Sequence, residues 1–334
     1  MRVRSLLPAA LAAALLAAEG AALPVAAHHG VASLGAAGLE GPGAPVETSA
    51  SATLPQGSLL LFLKLDQAKF VTFTPERDDE GTLNRFWLYG LGTGIRPWLS
   101  AYAVFPYNVK LMENNAYNTA GFADPCLLAV LGLKWDRGLR LVPANESLDD
   151  LEDLHFTLYS GMTLPLGDPD LADSEGALDP GLATGFGEPS FTLGLTATKV
   201  LASRHTLTGE LSWIHFSEHV YADDAALRFG DEQRANVAYS LRLAASAARR
   251  FRLDANAEGS YLALGRDEAA GVGEAATGGR MIYLMPGLRA YYNNLSLGVG
   301  LKVPSWTDLN EESDQQGAEG REDYRLVVSF SALN

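Results

Sequence analysis

The sequence has one cysteine, Cys126, among its 334 residues, which excludes an internal disulfide. It also has only six lysines against 19 arginines, and acidic side chains outnumber basic ones to give a net charge of −15. Nucleic-acid binding depends on clustered lysine and arginine side chains that neutralise phosphates. The composition therefore argues against a nucleic-acid partner.

After residue 27 the sequence has no apolar run of the roughly 20 residues that a transmembrane helix needs. It also lacks the catalytic motifs Gly-x-Ser-x-Gly and His-Glu-x-x-His. We therefore predict that the protein is not an enzyme and uses no cofactor.

Residues 1–27 are typical of a secretory signal peptide. Arg2 and Arg4 form a positive start, and residues 6–18 are an apolar stretch that is too short to span a membrane. Val25 and Ala27 place small residues at the −3 and −1 positions of a cleavage site. Residues 28–56 are rich in Gly, Ala, Ser and Pro without any period, which predicts a flexible N-terminal segment.

Residues 57–334 alternate between apolar and polar side chains, as strands with one apolar face do. In 251–263, for example, Phe251 and Leu253 fall on one face while Arg252 and Asp254 fall on the other. We count twelve such segments, most of them longer than the five or six residues of an ordinary strand and close to the length of about 9–11 residues that membrane barrels use.

The connections between these segments fall into two classes. Four are very short, at 96–97, 202–203, 249–250 and 293–294, and most of the others are long and polar. Short periplasmic turns and long extracellular loops are typical of outer-membrane barrels. Aromatic residues at both ends of the apolar faces fit the interfacial belts of such barrels; they are Trp98, Trp135, Tyr292, Trp213, Tyr261 and Tyr324.

The fold class predicted for residues 57–334 is therefore all-β. We expect an antiparallel, up-and-down transmembrane β-barrel of about 12 strands, located in the cell outer membrane.

Four short runs lie at the ends of the predicted strands: "FPY" at 105–107, "GFAD" at 121–124, "LPLGD" at 164–168 and "GFGEPSF" at 185–191. They resemble the strand-end motifs of a family of bacterial outer-membrane transporters named after a member encoded with the meta-pathway of phenol degradation. The resemblance covers roughly residues 57–334, with Leu166 where the family usually has threonine. It implies an outer-membrane channel or transporter, with small organic solutes as substrates.

The polar faces of the predicted strands carry five arginines and three acids. Facing the lumen, they form a charged wall that selects solutes by charge. The alternative is that these charges pair with one another and fill a sealed barrel. The predicted lumen-lining residues are Glu210, Arg234, Arg242, Arg252, Asp254, Glu258, Arg289 and Arg325.

Two histidines, His28 and His29, follow the predicted cleavage site. A free α-amino group beside an imidazole offers nitrogen ligands that suit Cu(II), so this pair is a candidate metal site. The alternative is that polar residues are freely tolerated after a cleavage site.

The function that we predict is an outer-membrane transporter or channel for small solutes, either hydrophobic or anionic organic molecules. Its expected partners are outer-membrane lipids, lipopolysaccharide, a small-molecule solute and the barrel-insertion machinery. The alternatives are a structural or adhesive surface barrel without transport, a metal-associated outer-membrane protein, and a barrel-embedded hydrolase that uses His215 with Ser212 or Ser217.

The mature protein is expected to begin at His28, because signal peptidase cleaves after small residues at −3 and −1. N-terminal sequencing of protein purified from the outer-membrane fraction checks this. Retention of residues 1–27 in the purified chain contradicts the signal-peptide prediction.

Overall fold

The computed structural model describes residues 44–49, 51–71, 81–112, 118–144, 146, 154–172, 178, 180–181, 183–311 and 321–334. Twelve long strands form one closed antiparallel barrel, and six short strands extend its rims and loops. No helix of these residues is long and apolar enough to cross a membrane.

The strands are β1 (Leu59–Phe70), β2 (Gly81–Arg96), β3 (Leu99–Met112), β4 (Asn118–Phe122), β5 (Cys126–Trp135), β6 (Leu139–Leu141), β7 (Leu154–Thr163), β8 (Ser190–Ala202), β9 (His205–Phe216), β10 (His219–Val220), β11 (Ala226–Arg228), β12 (Glu232–Ser246), β13 (Phe251–Leu264), β14 (Glu268–Ala269), β15 (Val272–Gly273), β16 (Gly279–Tyr292), β17 (Leu295–Leu309) and β18 (Glu322–Leu333).

The barrel closes where its first strand meets its last. β1 pairs with β18 along almost its whole length, from Leu60 opposite Leu333 to Phe70 opposite Glu322. All other long strands pair with their neighbours in the chain, so the barrel is of the up-and-down type and the predicted fold class is confirmed. Closure leaves the twelve long strands without an unpaired edge, which is what lets a sheet lie in lipid.

The two faces of the wall have the polarity of a membrane protein. In β1 the side chains alternate between exposed and buried, with Leu59 and Leu61 outside and Lys64 and Asp66 inside. Other strands also present large apolar side chains outward, among them Leu211, which is 59% exposed. An apolar exterior around a polar interior is stable in a bilayer and unfavourable in water. The barrel is therefore an outer-membrane protein.

The two ends of the barrel differ as predicted. Strands are joined by tight turns at 97–98, 203–204 and 293–294 at one end, which we call the turn end. At the other end, the loop end, long connections join β7 to β8 and β9 to β12. The one long connection at the turn end joins β5 to β7 and contains β6.

One strand is longer than the alternation predicts. The sequence pattern ends near residue 303, but β17 continues to Leu309. Pro304 has no N–H group to give to a sheet, and strands tolerate proline at irregularities. Here Pro304 faces Tyr283 at a register shift between β16 and β17, so the strand passes the proline without breaking.

Part of the predicted flexible segment at 28–56 falls among the described residues. Pro55 and Gln56 are exposed, whereas residues 44–49 and 51–54 lie inside the barrel, several of them fully buried, including Val46 and Leu54. Their small polar side chains have no period because they fit a lumen and not a sheet. Residues 1–43, with the predicted signal peptide and His28 and His29, lie outside the described residues.

Two outward-facing positions on β12 test which part of the barrel wall lies at the middle of the membrane. Val237 and Leu243 both point outward from β12, Val237 near the middle of the barrel and Leu243 near the turn end. Val237→Arg is expected to lower the free energy of unfolding by about 2–4 kcal/mol, and Leu243→Arg by at most about 1 kcal/mol, because cations are costly only near the midplane. Urea titration in lipid vesicles measures both. Equal losses in the two variants contradict the assignment.

Candidate functional site: the barrel lumen

A strap of chain crosses the lumen. We define the strap as residues 44–49 and 51–58. At its start, the carbonyl of Ala44 accepts a hydrogen bond from Tyr291 Oη of β16 at 3.0 Å. At its end, Leu54 N donates to Ser100 Oγ of β3 at 2.8 Å and Gly57 N donates to the carbonyl of Gly94 in β2 at 2.8 Å. The strap thus joins opposite parts of the wall before the chain enters β1.

Two wall carboxylates hold the centre of the strap. Glu258 of β13 accepts hydrogen bonds from the backbone N–H groups of Val46 at 2.7 Å and Thr48 at 2.8 Å, and from Thr48 Oγ1 at 2.7 Å. Glu210 of β9 accepts hydrogen bonds from the backbone and the hydroxyl of Ser49. Hydrogen bonds to a charged acceptor are stronger than neutral ones, so these carboxylates are the main fasteners of the strap.

The wall also positions Glu210 itself. Its carboxylate accepts hydrogen bonds from Tyr159 Oη of β7 at 2.7 Å and from Asn236 Nδ2 of β12 at 2.9 Å. Three strands, β7, β9 and β12, thus position the carboxylate that binds Ser49 of the strap.

Among the described residues, most of the charged side chains that lie in the lumen between the strap and the loop end form ion pairs. Lys302 Nζ lies 2.5 Å from Glu47 Oε1, so the strap carries one ion pair of its own. Arg325 bridges Asp66 at 3.1 Å and also contacts Glu322. These groups are buried, and a buried charge is retained only where a partner offsets its loss of hydration.

The lumen holds little space for water around these groups. Inward side chains from strands all around the wall are almost inaccessible, at 1% exposed for Tyr159, 4% for Glu258 and 1% for Lys64. A water-filled passage beside them would leave them exposed. In the described structure the lumen around these side chains is therefore densely packed.

The eight predicted lumen-lining residues separate into groups. Glu210 and Glu258 hold the strap, as described above. Arg289 is buried, with Nη2 at 2.7 Å from Ser329 Oγ. Arg325 and Arg234 belong to the ion pairs toward the loop end, where Arg234 lies 3.3 Å from Glu232.

The remaining three lie nearer the turn end. Arg252 pairs with Asp254 at 2.6 Å and lies over the ring of Tyr291, 5.4 Å from its centroid. Arg242 is half-buried, and its guanidinium lies 3.5 Å from the carbonyl of Ser203 in a turn. The structure thus distributes the eight residues among the strap contacts, separate ion pairs and the turn end.

Sequence reasoning missed several lumenal groups. Lys64 and Asp66 lie on the same face of β1 as Leu60 and Phe62, so their strand has no clean polar face to reveal them. Glu47 belongs to the strap, where no period exists. Only Lys302 carried a signal, because it alternates with Leu301 and Val303 in β17.

At the loop end, one aspartate joins three of the family-like runs. Asp124 of "GFAD" accepts hydrogen bonds from the N–H groups of Gly167 in "LPLGD" and Phe186 in "GFGEPSF", both at 2.8 Å. A Cβ at Gly167 would lie 2.7 Å from the Cα of Gly185, so only glycine permits this approach. Lys110 binds the same loop through the carbonyls of Gly181 and Ala183 at 2.8 Å.

We call the hydrogen bonds from Gly167 and Phe186 to Asp124 the Asp124 clamp. The clamp holds the aromatic side chain of Phe186 in the mouth of the barrel. Phe186 packs against Phe216 and Phe229, with ring centroids 5.1 Å and 5.4 Å away. Burial raises the pKa of the Asp124 carboxyl, while the N–H groups of Phe186 and Gly167 act to lower it. The loop end of the lumen is therefore lined by apolar rings, whereas its middle is polar.

Two residues of the hydrolase alternative, His215 and Ser217, have hydrogen-bond partners other than each other. His215 Nδ1 lies 2.9 Å from Asp231 Oδ1, and its ring stacks on Trp213. Ser217 donates to the carbonyl of Pro189 at 2.8 Å. In the part of the chain that is described, no group of three or more His, Cys, Asp or Glu side chains is placed to hold a metal ion.

Known proteins share the fold but not the sequence. The COG4313 outer-membrane channel from Pseudomonas putida F1 matches with a TM-score of 0.65 and 11% identity, over 88% of this chain and 100% of that chain. The translocator domain of the autotransporter NalP from Neisseria meningitidis matches at a TM-score of 0.44 and 13% identity, over 82% and 87% of the two chains. No family model matches the sequence, and no curated protein matches it. The first similarity shows a shared barrel fold, and the second is too distant to carry an argument.

The Asp124 clamp predicts a specific loss of stability. Asp124→Asn replaces one accepting oxygen with an amide that cannot accept an N–H group, and is expected to cost about 1.5–3 kcal/mol of unfolding free energy. Urea titration in detergent micelles measures it. Asp223→Asn, at an exposed loop aspartate that accepts one hydrogen bond from Ala225 N at 3.0 Å, is the control and should cost much less. Equal costs for the two variants contradict the clamp.

Proposed function

We propose that the protein is an outer-membrane channel for small organic solutes and that the strap closes it. The observation that carries this proposal is that residues 44–49 cross the lumen without belonging to a strand, and only the end of the strap, where Gln56 bridges Gly94 of β2, meets the sheet. Residues 44–49 belong to no strand, so the strap can leave while the barrel stays closed on itself.

The energetics of the strap allow such an opening. Its contacts to Glu258 and Glu210 are hydrogen bonds to carboxylates, and none of them belongs to a strand ladder. Water that enters the lumen can replace them, since both carboxylates and the strap amides are readily hydrated. A minor open state within a few kcal/mol of the closed state suffices for a gated channel.

The lumen suits molecules that combine an apolar body with a polar group. The loop end is lined by Phe186, Phe216 and Phe229, and the middle by charged and hydroxyl side chains. The resemblance of the strand-end runs to transporters linked with phenol degradation supports the same solute class. The barrel fold shared with a solved outer-membrane channel is consistent with transport.

A structural barrel without transport is the second candidate. The tight packing of the lumen and the pairing of most of its charges favour it. Lipopolysaccharide contact through the loops and recognition by the insertion machinery are proposed in both cases.

Bilayer conductance distinguishes the two candidates. The double variant Glu210→Gln with Glu258→Gln keeps side-chain shape but weakens the hold on the strap. It is expected to raise the open time in planar bilayers at least about tenfold, the ratio that corresponds to 1.4 kcal/mol. Glu268→Gln is the control, because Glu268 pairs with Arg228 in the loops outside the lumen and should leave conductance unchanged.

The conductance of the wild-type protein and of the double variant together distinguish three outcomes. Brief openings in the wild-type protein and long ones in the double variant support the strap as the gate. Silence of both proteins, with gel mobility that shows a folded barrel before heating, supports the structural barrel. Identical conductance in both proteins contradicts the strap as the closing part.

A further inference from the structure

Lys64 is an unusual group in the lumen. It extends inward from the middle of β1 and is 1% exposed. Its Nζ atom has no hydrogen-bond partner among the described residues. A buried ammonium group without a partner is strongly unfavourable, so a site that keeps one is expected to receive an anion.

A strap carboxylate lies within the electrostatic reach of Lys64. Lys302 and Lys64 are the two main positive charges acting on Glu47. Glu47 uses one oxygen to bind Lys302, at 2.5 Å, while its Oε2 atom has no hydrogen-bond partner in the described structure. Lys302 thus binds one oxygen of Glu47, and Lys64 is a second positive charge near the same carboxylate, beyond hydrogen-bond distance.

An apolar surface adjoins the two lysines. Lys302 Nζ lies over the ring of Tyr283, 4.5 Å from its centroid. Tyr283 packs with Leu262 and Met281 in a buried cluster on β13 and β16. A carboxylate held by the lysines can therefore place an attached apolar group against this cluster.

We propose that Lys64 and Lys302 form an anion site for small organic monocarboxylates, and that Glu47 occupies this site as an internal ligand while the strap is closed. A solute carboxylate takes the place of Glu47 when the strap leaves. The inference rests on the proposed function in so far as the strap moves. It extends that function by naming the solute class and the residues that recognise it.

Benzoate binding to the purified barrel, measured by isothermal titration calorimetry in detergent, tests the site. Glu47→Gln removes the charge of the internal ligand and is expected to tighten benzoate binding at least about tenfold, since a charged hydrogen bond is no longer in competition. Adding Lys64→Met to Glu47→Gln should abolish the gain. Adding Lys69→Met, at an outward-facing lysine of the same strand, should preserve it.

A neutral ligand and a second substitution of Lys64 serve as controls. Benzyl alcohol has the same ring without the charge, so it should gain nothing from Glu47→Gln; an equal gain for benzyl alcohol overturns the anion site. Lys64→Gln provides a second, smaller substitution if gel mobility shows that Lys64→Met does not fold. Benzoate affinity that is insensitive to both Glu47→Gln and loss of Lys64 also overturns the proposal.

The experiment separates this inference from the proposed function. A barrel that conducts but gains no benzoate affinity in Glu47→Gln contradicts the anion site alone. A barrel that is silent in bilayers but binds benzoate through Lys64 contradicts the channel and keeps the site. Inorganic phosphate serves as the third probe, and binding as tight as that of benzoate contradicts the role of the apolar cluster.

Discussion

The pairing of β1 with β18 is the interaction on which the rest of the structure depends. An unpaired strand edge leaves N–H and C=O groups without partners, and lipid offers none. Closing the sheet satisfies these groups and, at the same time, separates the two faces of every strand. From then on each outward position must suit lipid and each inward position must suit the lumen.

The lumen is where this separation creates a difficulty. Charged side chains that point inward lose water as the lumen fills, and each then needs a partner. The strap supplies partners for Glu210 and Glu258, and Glu47 of the strap pairs with Lys302. Strap and wall therefore stabilise each other, and moving the strap exposes several charges to water together.

At the loop end, one side chain brings three short sequence runs into contact. "GFAD", "LPLGD" and "GFGEPSF" are weak patterns on their own, and they stand at the ends of different strands. The structure joins them at Asp124, whose two oxygens bind the N–H groups of Gly167 and Phe186. Nothing in the spacing of these runs predicts that contact, because it depends on the path of the loop between β7 and β8.

The sequence by itself determined the barrel, its strand number and its tight turns, because alternation of side chains is a local property of each strand. It also placed Glu210 and Glu258 on inward faces. Only the tertiary structure decided what those faces meet: it put residues 44–49 and 51–54 in the lumen, where composition had predicted a flexible segment, and it paired most of the charges. It also left the Lys64 ammonium without a hydrogen-bond partner in the described residues. These outcomes depend on which distant side chains share a closed volume, and no local pattern carries that information.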